Sequence, residues 1–387
     1  MTKPDWVTYA EGLALVLEQQ GCFEDEWLRK ALFEVPRHLF IRRYYENWDA
    51  EQPRLLDRNA LTDEDLKALY ADDALLIRKP PKHSAASQPA IVFQMLGDLL
   101  LEPGHKVLEI GTGSGWNTAL LAYRAGDDSL VYSTDIQPEL VEEARAHLNA
   151  AGFGRLNLRT GDGGYGWAEA APFDRIIVTV GAQDIPPAWV EQMSDNGILL
   201  QPIEMPGMGN PVLRLQKSNG RLQGKFTRGS DFYPLRGDFG LDVENEADPC
   251  PKSLIEELHR IEPKAIPLHA PASADFFFFL HITGTPVQQT RWATSLGHVV
   301  FDREFETAFF IALDQTLINV CGDPRPGERF VNRQEEWIRL GRPGVKDCQV
   351  ELIRSRKCRL KPLEKLEKRP SVTLKLSLRV QPPEAGA

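Results

Sequence analysis

The sequence contains no Cys-x-x-Cys pair, no His-x-x-x-His pair and no apolar stretch near the ~20 residues that cross a bilayer. Its five cysteines, Cys22, Cys250, Cys321, Cys348 and Cys358, are odd in number and irregularly spaced. That pattern excludes a disulfide framework and a thiolate zinc site, and the histidine spacing adds no metal centre. The N-terminal segment breaks its short apolar run with glutamates and has no cleavage-site pattern, so a secretory signal is not expected. Basic residues are in deficit, 45 against 55 acidic, giving a net charge of −10. The whole deficit falls in residues 1–240, which carry 24 basic and 34 acidic groups, while 241–387 carry 21 of each. Such a balance argues against a protein that clings to nucleic acid or to anionic membrane. The expectation is a reduced, soluble, cytoplasmic protein.

What is present is a chain of 387 residues, 42% hydrophobic and 26% charged, long enough for two domains or one with a large extension. Residues 5–45 read as two helices, with Trp6, Tyr9, Leu13 and Val16 on one face and Trp27, Leu28, Ala31 and Leu32 on the next. Thr62-Asp63-Glu64-Asp65 marks a capped short helix, and Lys79-Pro80-Pro81-Lys82 a stiff turn. From residue 89 short apolar strands alternate with helices, the pattern of a doubly wound, mostly parallel α/β sheet. A hairpin across Ser218-Asn219-Gly220 closes that region. Residues 238–270 read as a connector holding a helix over Ser-Leu-Ile-Glu-Glu-Leu-His-Arg-Ile. Beyond it, runs rich in β-branched and aromatic residues predict a separate α+β domain. The expected organisation is therefore N-terminal helices and an insertion over 1–83, a core over 84–237, the connector over 238–270, and a C-terminal domain over 271–387 that recognises the substrate.

The strongest chemical signal is Val-Leu-Glu-Ile-Gly-Thr-Gly-Ser-Gly at 107–115, between a strand and a helix. Gly111, Gly113 and Gly115 allow a tight turn and close approach of the backbone to a ligand. The G-x-G-x-G spacing differs from the dinucleotide G-x-G-x-x-G pattern. No Lys or Arg lies between Gly111 and Tyr123 to meet a phosphate. Asp135, at the end of the next strand, is placed to accept both hydroxyls of an adenosine ribose. Asp162, in Gly161-Asp162-Gly163-Gly164, is placed for the adenine amino group, and Glu109 adds a further acidic group near a cationic ligand. Adenosine with a positive tail and no phosphate is S-adenosylmethionine. The alternative, turn-forming glycines with helix-capping carboxylates, accounts for each motif singly but not for three in register on successive strands.

Those motifs resemble the bacterial protein-L-isoaspartate O-methyltransferases, as do Gly-Asp-Gly-Gly-Tyr-Gly-Trp, Ala-Pro-Phe-Asp-Arg-Ile-Ile-Val-Thr-Val-Gly-Ala and Ser87-Gln88-Pro89. Val35-Pro36-Arg37 with Phe40, and Phe232-Tyr233-Pro234-Leu235, are similar to that family's N-terminal and closing elements. The resemblance spans about 24–237 and implies a three-layer class I S-adenosylmethionine-dependent methyltransferase of Rossmann-like fold, acting on a peptide or protein. It implies Ser87 as the active-site serine. Ser84, Glu109, Gly111, Thr112, Gly113, Gly115, Asp135, Ile136, Asp162 and Gly163 would hold the cofactor. Gln88, Thr179, Val180, Gly181 and Ala182 would border the substrate. By residue type alone, Ser87 is either a hydroxyl donor that orients a carboxylate or a helix N-cap ahead of Pro89.

Two departures from the family pattern stand out: Lys82-His83-Ser84-Ala85-Ala86 precedes Ser87 where the family has a Gly-Gln-Thr-Ile run, and about 150 residues follow Leu235. Both are similar to the peptide-tailoring branch, which methylates an aspartate of a ring-constrained ribosomal peptide so that the ester closes to an aspartimide. That implies a macrocyclised, acidic precursor as partner, with repair of isoaspartyl residues as the alternative and a non-catalytic peptide-binding role as a third. Residues 352–379 hold ten Lys/Arg against two Glu, either a solvated strand face or a surface for such a peptide. Phe276 to Phe279 are expected to form a buried strand rather than a hydrophobic docking patch.

Overall fold

The computed structural model describes residues 5–47, 49–205, 209–240, 264–285, 287–292, 295–302, 307–312, 316–321, 323, 325–353, 364–368 and 373–379. The connector helix expected over 253–261 and most of the basic stretch between 354 and 372 lie outside these residues.

Two N-terminal helices, Trp6–Gln19 and Glu26–Glu34, form where sequence periodicity places them, the first opened by the Asp5 side chain accepting from the Val7 amide at 3.1 Å. Leu13, Leu17, Leu28 and Leu32 are buried in the same core as Phe93 and Trp116 of the helices Pro89–Asp98 and Trp116–Ala125. The short helix Asp63–Leu69 carries the expected capping box, Thr62 with Asp65.

The core sheet has ten strands among the described residues. Asn157–Thr160, Val131–Asp135, Val107–Ile110, Phe173–Val178 and Met193–Pro202 are parallel neighbours in that spatial order. The helix Pro138–Ala150 lies in the crossover between Val131–Asp135 and Asn157–Thr160. Val212–Ser218 and Arg221–Arg228 extend the sheet as an antiparallel hairpin. Its two-residue loop, Asn219-Gly220, takes positive φ at both positions, which is why that dipeptide closes it.

The sheet does not stop there. Cys348–Ile353 pairs antiparallel with Arg221–Arg228, followed by Thr373–Leu378 and Glu364–Lys368. Strands from the last forty residues thus extend the core sheet, although the sequence assigned them to a separate C-terminal domain. A second, five-stranded antiparallel sheet is built from Lys264–Pro267, Val287–Trp292, Ser295–Asp302, Thr307–Ala312 and Leu317–Cys321.

Phe276 to Phe279 form the helix Ala274–Ile282, with Ser273 capping the Phe276 amide, so the expected strand is a helix. All four rings are fully buried. Phe278 meets Phe226 of the core sheet edge-on at 5.7 Å between centroids, and Phe276 meets Trp337 at 5.3 Å. A helix buried all round shows no amphipathic period, and its five-residue apolar run reads equally as a strand. The helix Arg325–Arg339 was not evident in the sequence; Phe330, Gln334 and Trp337 line its buried side.

Candidate functional site

The strand Val107–Ile110 is buried at every position and delivers the chain into Gly111, Gly113 and Gly115, all at positive φ. A Cβ at Gly111 would lie 2.5 Å from Thr179 Oγ1, so only glycine permits that approach. At Gly163 a Cβ would meet Ile110 Cγ2 at 2.4 Å. These two positions carve one wall of a cavity of about 620 Å³ at the C-terminal ends of the parallel strands, where open α/β sheets bind ligands.

The cavity is lined by Ser84, Gly111, Thr112, Gly113, Asp135, Ile136 and Gly163 of the expected cofactor set, together with Ser87, Gln88, Thr179 and Val180. Asp135 accepts from the Gly113 amide at 3.1 Å and the Gln137 amide at 3.0 Å, one bond per oxygen. Burial pushes its carboxyl pKa up. Each oxygen keeps lone-pair capacity toward the cavity, which suits a vicinal diol.

Five expected residues sit elsewhere. Glu109 has no exposed surface and does not line the cavity. It accepts from Asn117 Nδ2 at 2.7 Å, from Thr118 Oγ1 and from Ser133 Oγ at 2.6 Å, and burial lifts its pKa to about 7. Its link to the cavity is indirect, through Asn117 and through Ser133, whose hydroxyl lies 2.7 Å from that of Thr112. Gly115 packs against the helix Pro138–Ala150, where an added Cβ would lie 3.2 Å from Ala144 Cβ. The Asp162 carboxylate is engaged by the Gly164 amide at 2.8 Å and the Asp238 amide at 2.7 Å, and only its neighbour Gly163 reaches the cavity. Gly181 exchanges backbone bonds with Tyr233 and Leu235 at 2.8 and 2.7 Å and so anchors the closing segment, while the Ala182 amide donates to Pro202 at 3.0 Å at the end of the strand Met193–Pro202.

Ser87 precedes the helix Pro89–Asp98, whose N-cap is Gln88 with no side-chain capping bond. The N-cap reading of Ser87 therefore falls. Its backbone carbonyl is instead held by Arg37 Nη2 at 2.9 Å. Arg37 has no exposed surface and also donates to the carbonyls of Leu69, Ala71, Asp73 and Ala86.

Sequence reasoning missed the residues that bring the 82–87 strand and the 230–236 segment together beside the cavity. The His83 ring sits 4.4 Å from that of Tyr233, and Arg236 Nη2 donates to the His83 carbonyl at 3.3 Å. Burial, then the Arg236 charge, lowers the His83 pKa. Arg236 is the one Lys or Arg among the described lining residues. The outer lining adds Gln20, Gln94, Ser230, Asp231 and Phe232. No sequence period marks these residues, because they converge from a loop, two helices and a hairpin exit.

The donor set fits S-adenosylmethionine: a glycine cradle, a buried carboxylate for a diol, and no cluster of cations for phosphates. No group of three or more His, Cys, Asp or Glu able to hold a metal occurs among the described residues, and no helix there is long and apolar enough to cross a membrane.

Residues 9–239 match the family model of protein-L-isoaspartate(D-aspartate) O-methyltransferase. A protein-L-isoaspartate O-methyltransferase of Dictyoglomus thermophilum is 34% identical over 238 residues, covering 61% of this chain and 95% of its own. One from Pyrococcus horikoshii is 34% identical over 226 residues, covering 58% of this chain and 91% of its own. A solved structure of a protein-L-isoaspartate O-methyltransferase superposes with TM-score 0.53 at 22% identity, covering 88% of this chain and 96% of its own. That coverage reaches well beyond residue 239, so the likeness in fold includes part of the C-terminal region.

Proposed function

The chain belongs to the protein-L-isoaspartate(D-aspartate) O-methyltransferase family, an S-adenosylmethionine-dependent enzyme, and we propose that it esterifies the free carboxylate of isoaspartyl residues in peptides and proteins. The observation that carries this reading is one continuous cavity joining Asp135 and the glycine cradle to Ser87 and on to Gln94 and Tyr233. Asp135, Gly111, Gly113 and Gly163 would hold the cofactor, which supplies an electrophilic methyl group when bound. An aspartyl-type carboxylate, with an unperturbed pKa near 4, is already ionised at neutral pH and needs no general base. The hydroxyl of Ser87 suits orienting that carboxylate by one hydrogen bond, and no histidine or carboxylate is bonded to it among the described residues. Tyr233, Phe232 and Trp116 contribute apolar surface that keeps water from the reacting carboxylate.

A narrower reading, methylation of an aspartate in a ring-constrained ribosomal peptide, is favoured by one feature. His83 lies in the stretch that departs from the family's Gly-Gln-Thr-Ile run, and its ring packs against Tyr233 in the cavity that Ser87 also lines. Mass spectrometry separates the two. Linear isoaspartyl peptides, their aspartyl counterparts and macrocyclised aspartyl peptides are each incubated with cofactor. Gain of one methyl on the linear isoaspartyl set supports the wider reading. Turnover confined to the macrocycles, followed by loss of methanol, supports the narrower one and overturns the first.

A further inference from the structure

Gln20, at the end of the first helix, and Gln88, next to Ser87, both line the cavity and are both exposed. Their amides are tied to one carboxylate outside the lining, that of Asp72. Asp72 Oδ2 lies 3.0 Å from Gln20 Nε2 and 3.0 Å from Gln88 Nε2, and the Asp72 carbonyl lies 3.3 Å from the same Gln88 nitrogen. Asp72 Oδ1 is held at 2.8 Å by the Ala90 amide, in the first turn of the helix Pro89–Asp98.

A carboxylate and a carbonyl only accept, so both glutamines turn their NH2 groups to Asp72. The Gln88 nitrogen uses both of its hydrogens there. What each side chain has left is its Oε1, an acceptor, and neither Oε1 has a hydrogen-bond partner among the described residues. Asp231, exposed on the same lining, is a further acceptor with no ion pair among those residues. Arg236, the one Lys or Arg that lines the cavity, is engaged by the His83 carbonyl. A polypeptide brings its own donors, one main-chain N–H per non-proline residue, and each needs an acceptor once water is displaced.

We propose that Gln20 and Gln88 form a subsite that accepts hydrogen bonds from main-chain N–H groups of the peptide flanking the methylated residue, with Asp72 as the positioning residue that sets its polarity. The subsite rests on the reading of the substrate as a peptide carboxylate. Its recognised group is common to every sequence, so it holds the chain beside Ser87 without selecting side chains. A flanking proline, which lacks the donor, is not held. Asp72→Asn reverses the polarity. The Ala90 amide keeps the side-chain oxygen, which leaves the new NH2 facing the two glutamines. Their amides then turn over and present donors to the cavity.

Steady-state kinetics of the full chain tests it, with whichever peptide set wild type methylates as substrate. In a series of such peptides, one flanking main-chain N–H at a time is replaced by N–CH3. In wild type, KM should rise at least about threefold at one or two positions, the worth of one hydrogen bond, with kcat little changed. Asp72→Asn should raise KM for the unmodified peptide by a similar factor and be indifferent to N-methylation at those positions. A merely structural role would not move that difference between peptides. Gln20→Met, on an exposed side chain, should lose the sensitivity at one position, and it decides the matter if Asp72→Asn fails to fold. N-methylation tolerated throughout by wild type, or penalised equally in wild type and the folded variants, overturns the subsite. Turnover of the macrocycles alone changes the substrate reading and leaves this comparison intact, whereas turnover of no peptide overturns both.

Discussion

Arg37 holds the main-chain carbonyl of Ser87 at 2.9 Å from a guanidinium that has no exposed surface. Burial lowers its pKa only to about 10, so it remains charged at neutral pH with backbone carbonyls, not a carboxylate, as its acceptors. The planar fork of arginine satisfies five carbonyls from two segments, 69–73 and 86–87, at once, which an ammonium cannot do. The residue therefore fixes where the strand 84–86 ends and where the Ser87 hydroxyl stands.

Ser87→Ala should lower kcat about tenfold, the worth of one orienting hydrogen bond, and leave S-adenosylhomocysteine affinity unchanged. Arg37→Lys should also lower kcat and, in addition, destabilise the fold by about 1–3 kcal/mol through carbonyls left unpaired. If Arg37 acts through Ser87, its effect on kcat should largely vanish in the Ser87→Ala background, while its effect on the denaturation midpoint should persist. Fully additive kcat losses would reduce Arg37 to a structural role.

The two aspartates of the glycine-rich loops should now behave differently. Asp135→Ala removes a buried charged acceptor from the cavity and should weaken S-adenosylhomocysteine binding by about 1.5–3 kcal/mol or more, read by calorimetry. Asp162 clasps the amides of Gly164 and Asp238, with Tyr165 Oη bonded in turn to the Asp238 carboxylate. Asp162→Ala should therefore loosen the 236–240 segment, seen as faster amide exchange at Asp238, with a smaller loss of affinity. Equal losses from the two variants, without faster exchange, would return Asp162 to direct contact.

The parallel half of the fold and the cavity floor were legible because local rules agree there. Strands end in glycines, and helices begin beside them. Asp135, Gly111 and Thr179 follow directly from that register. Legibility failed where tertiary context decides. Phe276 to Phe279 carry no period because both sheets bury them, and the pairing of Cys348–Ile353 with Arg221–Arg228 joins residues more than a hundred apart. Glu109 was misread for a related reason. Sequence gives the strand that carries it but not the face, and the face points to Asn117, Thr118 and Ser133.

Glu109 makes stability depend on pH. Its pKa rises from the ordinary 4.5 to about 7 in the folded chain, so between these values the native state binds more protons than the unfolded one. Stability from this group is then greatest below pH 4.5 and falls as pH rises toward 7, by about 3 kcal/mol at most. Glu109→Gln, which cannot ionise, should lack that slope. Urea denaturation at pH 5 and pH 8 should show the variant gaining on wild type at the higher pH. A difference between the two proteins that stays constant across this range would mean that Glu109 is ionised throughout.

The C-terminal third should prove inseparable from the methyltransferase core. Arg221–Arg228 is an inner strand, covered on its outer edge by Cys348–Ile353, and Phe226 packs against Phe278. Leu213, Leu215, Leu222 and Phe226 share one buried cluster with Phe276 to Phe279, Val350 and Leu374. A chain ending at residue 240 would uncover this apolar face and a bare strand edge, a combination that favours aggregation. The fragment is therefore expected to be insoluble, or to melt well below the full chain. Phe278→Ala tests the same contact without truncation. Removing a fully buried ring should cost about 3–5 kcal/mol in denaturant unfolding. The folded variant should still bind S-adenosylhomocysteine normally, because Phe278 does not line the cavity. A soluble 1–240 fragment with the melting temperature of the full chain would show instead that the shared sheet and cluster contribute nothing to the core, and that the C-terminal part is an independent unit after all.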